Sequence, residues 1–282
     1  MEWTSWTPFR DSFQAKPRGL GILASVSVRV DSARPVLFVA HPGHELLIHG
    51  WLRRARPAVC ILTDGSGHSS SGRISLTREM LRSLTASEGP IFGTFADRDV
   101  YAAILGGDAG FFIALVAELA DHLVARRATS VVADAAEGYN PVHDLCSVIA
   151  GAACDVARRA GVDVPHYEYA VVDGPASLTG ETLVLDDDAF AAKMSAARAM
   201  ASRLSDVDEL LARHGEGAFR RETFHRVDDW MVDRSMASPR YEHFGEQRVA
   251  AGLYARVIRH DEHIVPLRNE LRQWVESAQC VF

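Results

Sequence analysis

Lysine is nearly absent from this chain: of its 30 basic residues, only Lys16 and Lys193 are not arginine. The arginines are scattered rather than striped, and 37 acidic residues bring the formal net charge to −7. That leaves no basic footprint for nucleic acid or for an anionic membrane surface. Cysteine is scarce as well. Cys60, Cys146, Cys154 and Cys280 include no C-x-x-C pair and read as free thiols in a reducing compartment. No apolar run approaches a membrane span, and residues 1–19 hold no apolar leader core, so the expectation is a cytoplasmic protein. No G-x-G-x-x-G follows the first core strand, which argues against a dinucleotide enzyme. The glycine- and serine-rich loop at 65–72 is followed by no lysine, which excludes a phosphate-binding Walker loop.

What is present suits a globular enzyme. The chain has 282 residues, 48% hydrophobic and 24% charged, enough to bury a full core without disulfides. After an irregular lead with Trp3, Trp6 and Phe9, residues 20–30 partly alternate apolar with small or polar and read as a strand. PVLFVA at 35–40 is a short continuous apolar run, followed by turn residues and then by LLIHGWLRRA at helical spacing. AVCILTDGSG begins a second such unit, with a helical stretch near 74–87. A weaker strand lies near 90–95, another at 129–135 ahead of a helix over 142–160, and a fifth at 167–173. Apolar strands alternating with helices predict an α/β, Rossmann-like, mostly parallel sheet covered on both faces. In such sheets ligands bind beyond the carboxyl ends of the strands. After about residue 180 the pattern becomes mainly helical, over 187–214, 245–259 and 262–277. The division is therefore a core over 1–180 and a helical C-terminal extension over 181–282, packed on it.

The first core strand runs into Ala40-His41-Pro42-Gly43-His44-Glu45. Two imidazoles three residues apart at a strand-to-helix turn can face one point above the sheet, and neutral imidazole suits zinc and similar divalent ions. Gly43 leaves room beside that point, Glu45 falls in the first helical turn, and His49 lies further along and faces away. A third ligand is needed, and His143, after the strand at 129–135, emerges on the same sheet edge. Asp134, Glu137 and Asp144 add carboxylates there. Asp64 ends the second strand, where it serves equally as an Asx turn or helix cap.

The order and spacing of these stretches resemble the PIG-L/LmbE-like family of zinc-dependent deacetylases. That family carries A-H-P-D-D-E after its first strand, T-D-G after its second and H-P-D-H after a later one. Here AHPGHE stands at 40–45, TDG at 63–65 and NPVH at 140–143. The resemblance implies metal ligands at His41, His44 and His143, with zinc or another divalent metal as cofactor. Histidine at 44 replaces the family's carboxylate ligand. Gly43 stands where the family has its general base, Asn140 where it has a histidine that helps polarise the substrate carbonyl, and Val142 where it has an aspartate.

The activity implied is hydrolysis of an N-acyl group, acetyl above all, on an amino sugar or related small molecule in biosynthesis. With Gly43 unable to take a proton, Glu137, Asp64 and Asp144 are the candidate bases, Glu137 first because it lies in a flexible glycine-bearing loop. Tyr139 and Asn140 are candidate hydrogen-bond donors to an oxyanion. Ser66, Asp97 and Arg98 are candidate substrate contacts, Arg98 as the partner of an anionic group or of a structural carboxylate. The stretch Arg240–Glu246 reads either as a lid over the pocket or as ordinary capping and packing. Loss of the base at Gly43 keeps two alternatives open: a metal-dependent lyase or isomerase, and a non-catalytic binder of a sugar-like ligand. A homo-oligomer is also left open.

Overall fold

The computed structural model describes residues 33–67, 72–201, 205–232 and 239–277. The strand expected at 20–30, the tryptophans of the lead, residues 68–71 of the glycine-rich loop and Cys280 lie outside the described residues.

A seven-stranded sheet forms the centre, in the order β3-β2-β1-β4-β5-β7-β6. β1 (Pro35–Val39), β2 (Ala58–Thr63), β4 (Ser130–Asp134) and β5 (His166–Tyr169) are buried along their whole length. β1, β2 and β4 are nearly continuous apolar runs because helices cover both faces of the sheet and neither set of side chains meets water, while β5 buries His166 and Glu168. β3 (Ser87–Phe95) is longer and half exposed, carries Pro90 and forms the edge beside β2, where a missing backbone N–H costs no ladder bond. β1 pairs in parallel with β2 through Leu37↔Val59 and with β4 through Leu37↔Val132.

Alternation along β1 divides the core. Val36 and Phe38 face a layer that includes Phe112, Leu119 and Ile149. Leu37 and Val39 face Trp51, Leu52, Tyr167 and Phe224. The first layer rests on α4 (Ala109–Arg126), α5 (Pro141–Arg159) and α9 (Val265–Ser277). The second rests on α1 (His49–Ala55), α2 (Ile74–Leu84) and α6 (Asp187–Ala201).

Two elements depart from the sequence pattern. Between residues 95 and 129 the chain forms α3 (Asp97–Gly106) and α4, neither of which stood out by periodicity. α4 reads AGFFIALVAELADHLVAR; its exposed face, Gly110, Ala114, Glu118, Asp121 and Ala125, is itself mostly small and apolar, so its stripe is blurred. The segment after residue 180 is also not purely helical. β6 (Glu181–Val184) and β7 (Arg221–Val227) extend the sheet beyond β5 as antiparallel strands, alongside α6, α7 (Ser205–His214) and α8 (Arg240–Ala250). β6, the edge, is short and partly exposed, as edge strands are, while β7 lies between β5 and β6 and is polar at several positions.

Strand order turns back between β1 and β4: the chain moves outward from β1 through β2 to β3, then returns to the other side of β1. A crevice opens at the carboxyl ends of the strands where neighbouring connections diverge, and it is there that α/β sheets bind ligands. No helix among the described residues is long and apolar enough to cross a membrane.

Candidate functional site

The crevice gathers the three histidines. β1 ends at Val39, and a turn through His41–Gly43 leads into a short 3-10 helix, His44–Ile48, that continues as α1. Gly43 has φ 108°, a left-handed conformation that a side chain would strain. Its N–H donates to Glu45 Oε2 at 2.8 Å, so the buried Glu45 carboxylate closes the turn. α5 supplies His143 in its first turn, started by Asn140 as cap and Pro141 as first helical residue.

The ring centroids of His41 and His44 lie 5.3 Å apart, those of His41 and His143 5.3 Å, and those of His44 and His143 4.5 Å. An ion held tetrahedrally at about 2.0–2.1 Å from imidazole nitrogens sets ring centroids roughly 5 Å apart. The rings therefore have the spacing of a three-histidine site. The donor atoms themselves are less converged: among the described residues, no group of three or more His, Cys, Asp or Glu side chains stands ready to hold an ion as placed.

What lies behind the rings favours ligation. His41 Nδ1 is 2.8 Å from Thr63 Oγ1 and 2.9 Å from Asp97 Oδ1. Thr63 Oγ1 donates to the Ala40 carbonyl at 3.2 Å, so it accepts from His41 Nδ1–H and leaves Nε2 as the free lone pair. His44 Nδ1 is 2.8 Å from Asp134 Oδ2, which also accepts the Ala40 N–H at 2.9 Å. A carboxylate on the distal nitrogen is the usual support of a metal-binding histidine. His143 is buried, and its Nδ1 has no hydrogen-bond partner. Buried polar atoms without partners are rare in folded proteins and mark strain, catalysis or an ion. The donor set thus fits a divalent metal.

Electrostatics separate the three rings. Burial would lower the His44 pKa, but the charge and hydrogen bond of Asp134 outweigh it and raise it. Burial first, and then the nearby His44 and His41, hold His143 well below the usual range, so it stays neutral. Burial opposes ionisation of Asp97, yet the hydrogen bond and charge of His41 win and hold that carboxyl far below its ordinary value.

The other candidates have different surroundings. Glu137 does not face the rings with a free carboxylate: its two oxygens accept the N–H groups of Val171 (2.8 Å), Val172 (2.9 Å) and Asp173 (2.7 Å), fastening the loop after β5. Asp64 Oδ1 accepts the Ser66 N–H at 2.8 Å, which is the Asx turn, and this is also where Ser66 is held. Asp144 Oδ1 accepts the Gly138 N–H at 3.1 Å while its Oδ2 has no hydrogen-bond partner. Burial, with smaller contributions from Glu137 and Glu168, pushes the Asp144 pKa up to about 7. Asp144 lines a recess with Ser147, Trp230 and His260, between α5 and the start of α9. Asp97 supports His41 and accepts the Gly67 N–H, so both of its oxygens face inward. Arg98 points outward, its side chain 84% exposed.

Asn140 Oδ1 accepts the Val142 N–H at 2.9 Å, and its Nδ2 lies 3.5 Å from His41 Nε2. Tyr139 lies against Phe244, centroids 5.6 Å apart, with the Arg240 guanidinium 5.3 Å over its ring. Tyr241 N–H donates to the Gly138 carbonyl at 3.2 Å. The 240–246 segment thus forms a wall against the loop that carries Tyr139 and Asn140.

Three contributors were not among the sequence candidates as supports: Thr63, Asp134 and Tyr101. Asp134 was visible as a strand-end carboxylate, and Thr63 belongs to the T-D-G motif. Tyr101 lies in α3, which the pattern did not show.

Comparison with protein-family models gives no match, and no curated protein matches the sequence. Among solved structures, the A40926 pseudoaglycone deacetylase is similar at 17% identity, with 71% of this chain and 99% of that chain covered and a TM-score of 0.50. A zinc-inhibited form of teicoplanin deacetylase is similar at 14% identity, over 70% and 99% of the two chains, with a TM-score of 0.45. What the first of these shares with this chain, at such identity, is the fold: a Rossmann-like sheet with helices on both faces.

Proposed function

We propose that this chain is a metal-dependent hydrolase that removes an N-acyl group, such as acetyl, from an amino sugar or a related small molecule. The observation that carries the reading is the cluster of His41, His44 and His143 rings at the mouth of the β1–β4 crevice. The ordered AHPGHE, TDG and NPVH motifs and a fold shared with a deacetylase support it. His41, His44 and His143 would hold the metal, zinc or another divalent ion, which polarises a carbonyl and acidifies water when bound. Asp97 and Thr63 fix the His41 tautomer, Asp134 fixes that of His44, and burial keeps His143 neutral. Asn140 offers its Nδ2–H as a donor beside His41, suited to an oxygen on which negative charge develops.

A second reading is favoured by one specific observation. Gly43 has no carboxylate, and Glu137 and Asp64 are each committed to backbone N–H groups away from the rings. Asp144, pushed up to about 7 by burial, lines the recess with Ser147, Trp230 and His260 and is not among the groups shown beside the three rings. If no base reaches the site, a metal-dependent lyase or isomerase fits better than a hydrolase. Elemental analysis of the purified protein beside a His41→Ala/His44→Ala variant, followed by a screen of N-acyl amino sugars for released acid, separates the readings. About one equivalent of metal with acid release supports the hydrolase; metal without acid release supports the lyase or isomerase. No metal after reconstitution refutes both.

A further inference from the structure

α3 begins directly at the edge of the site, and its residues Asp97 and Tyr101 are four apart, so they share one helix face. Asp97 sits behind His41, while Tyr101 Oη donates to Asn140 Oδ1 at 3.3 Å. The orientation of the Asn140 amide follows from its neighbours. A backbone N–H can only donate, so the atom 2.9 Å from Val142 N is the oxygen. The same oxygen takes the Tyr101 hydroxyl proton, and burial raises the Tyr101 pKa, so the phenol keeps that proton. Nδ2 is thereby turned to His41 Nε2, at 3.5 Å. His41, with its proton on Nδ1 against Thr63 and Asp97, presents the matching lone pair.

We propose that Tyr101 is a positioning residue for the reaction: by anchoring Asn140 Oδ1 it aims the Asn140 amide at the point His41 faces, and α3 orients both members of the pair through Asp97 and Tyr101. This deepens the hydrolase reading and rests on it for the catalytic consequence. The cap bond from Val142 sets which end of the amide faces the helix. The Tyr101 bond limits the remaining swing of the side chain.

Tyr101→Phe keeps the ring and removes only the hydroxyl. Acid release from an N-acyl amino sugar should then fall roughly three- to tenfold in kcat with KM unchanged, the scale of one hydrogen bond. The melting temperature should move by about 2 °C or less. Asn140→Asp keeps the acceptor but has no N–H to present beside His41, so adding Tyr101→Phe to it should cause no further loss in kcat. An independent readout is the ¹⁵N spectrum of the His41 ring in the full chain after dialysis against a chelator. The wild type should show Nδ1 protonated and Nε2 as a hydrogen-bonded acceptor, and Tyr101→Phe should shift the Nε2 signal alone.

An unmoved Nε2 signal overturns the proposal, as does an unchanged kcat in Tyr101→Phe. If the wild type releases no acid from any N-acyl sugar, the hydrolase reading fails on its own. The Nε2 signal then decides the role of Tyr101 by itself.

Discussion

The deepest test of how the C-terminal part serves the site is the pair Lys193–Glu222. Lys193 Nζ lies 2.8 Å from Glu222 Oε1, and the two side chains are 1% and 0% exposed. Glu222, on β7, also accepts the Gly50 N–H at 2.8 Å and the Trp51 N–H at 2.7 Å, at the start of α1. Lys193, on α6, donates in turn to the Leu47 carbonyl at the end of the turn that bears His44. Lys193→Met removes the countercharge at similar volume and leaves a buried carboxylate with only its two N–H partners. Breaking a buried pair this way costs about 3–5 kcal/mol. At an unfolding entropy of about 0.6 kcal/mol/K for a chain of this length, 4 kcal/mol lowers the melting temperature by about 7 °C. The lone carboxylate can relieve itself by taking up a proton, so the loss should be larger at pH 8 than at pH 5. Lys193→Met/Glu222→Gln, which removes the stranded charge, should recover at least about 1 kcal/mol of the loss. Urea denaturation at both pH values measures all of this. A loss below about 1 kcal/mol for Lys193→Met at pH 8 would refute the argument that this charge depends on its partner.

Three further outcomes are expected. His41→Ala and His143→Ala should each abolish stoichiometric metal, and Asp134→Asn should weaken it roughly ten- to a hundredfold by freeing His44, with affinity in the wild type rising with pH as the metal displaces the proton that Asp134 favours on His44; retained metal in both alanine variants removes the ligand assignment. Burial first, and then the charges of Lys193 and Arg53, lower the His49 pKa to about 4, so the unfolded chain takes up that proton first as the pH falls; stability is lost from about pH 6.5 down to about pH 4, by roughly 2 kcal/mol after discounting for screening, and His49→Leu should flatten that part of the denaturation profile. At Gly43, with φ 108°, alanine should cost about 1 kcal/mol or more in thermal unfolding, and a stability equal to wild type would contradict the backbone geometry.

How far the sequence reaches depends on the kind of interaction. β1, β2 and β4 were legible because a strand buried on both faces must be apolar throughout, and the loops after them follow at once. The three histidines were legible because each lies one loop beyond such a strand. β6 and β7 were not, because four and seven partly polar residues carry no distinctive period. α4 was not, because Gly110, Ala114 and Ala125 on its exposed face blur the amphipathic stripe. The work of Glu137 was also hidden: its three partners are backbone N–H groups 34 to 36 residues away, which every non-proline residue supplies and no side-chain pattern announces. Tyr101 depends on a contact 39 residues distant, legible only once α3 is placed.

The adjacency of β1 and β4 has a bearing on how the protein is made. His44 and its supporting Asp134 are 90 residues apart in the chain, and every strand between them lies on the other side of β1. A growing chain that has emerged only as far as β3 holds two of the three rings but neither the carboxylate behind His44 nor the third imidazole. Closing so long a loop is repaid only when β4 docks, so the histidine cluster assembles late, as the sheet closes. A metal taken up before that moment would meet only two of the three imidazoles, His44 without the carboxylate behind it. Capture of the proposed ion during refolding should therefore track completion of the central sheet, and its uptake would report that step.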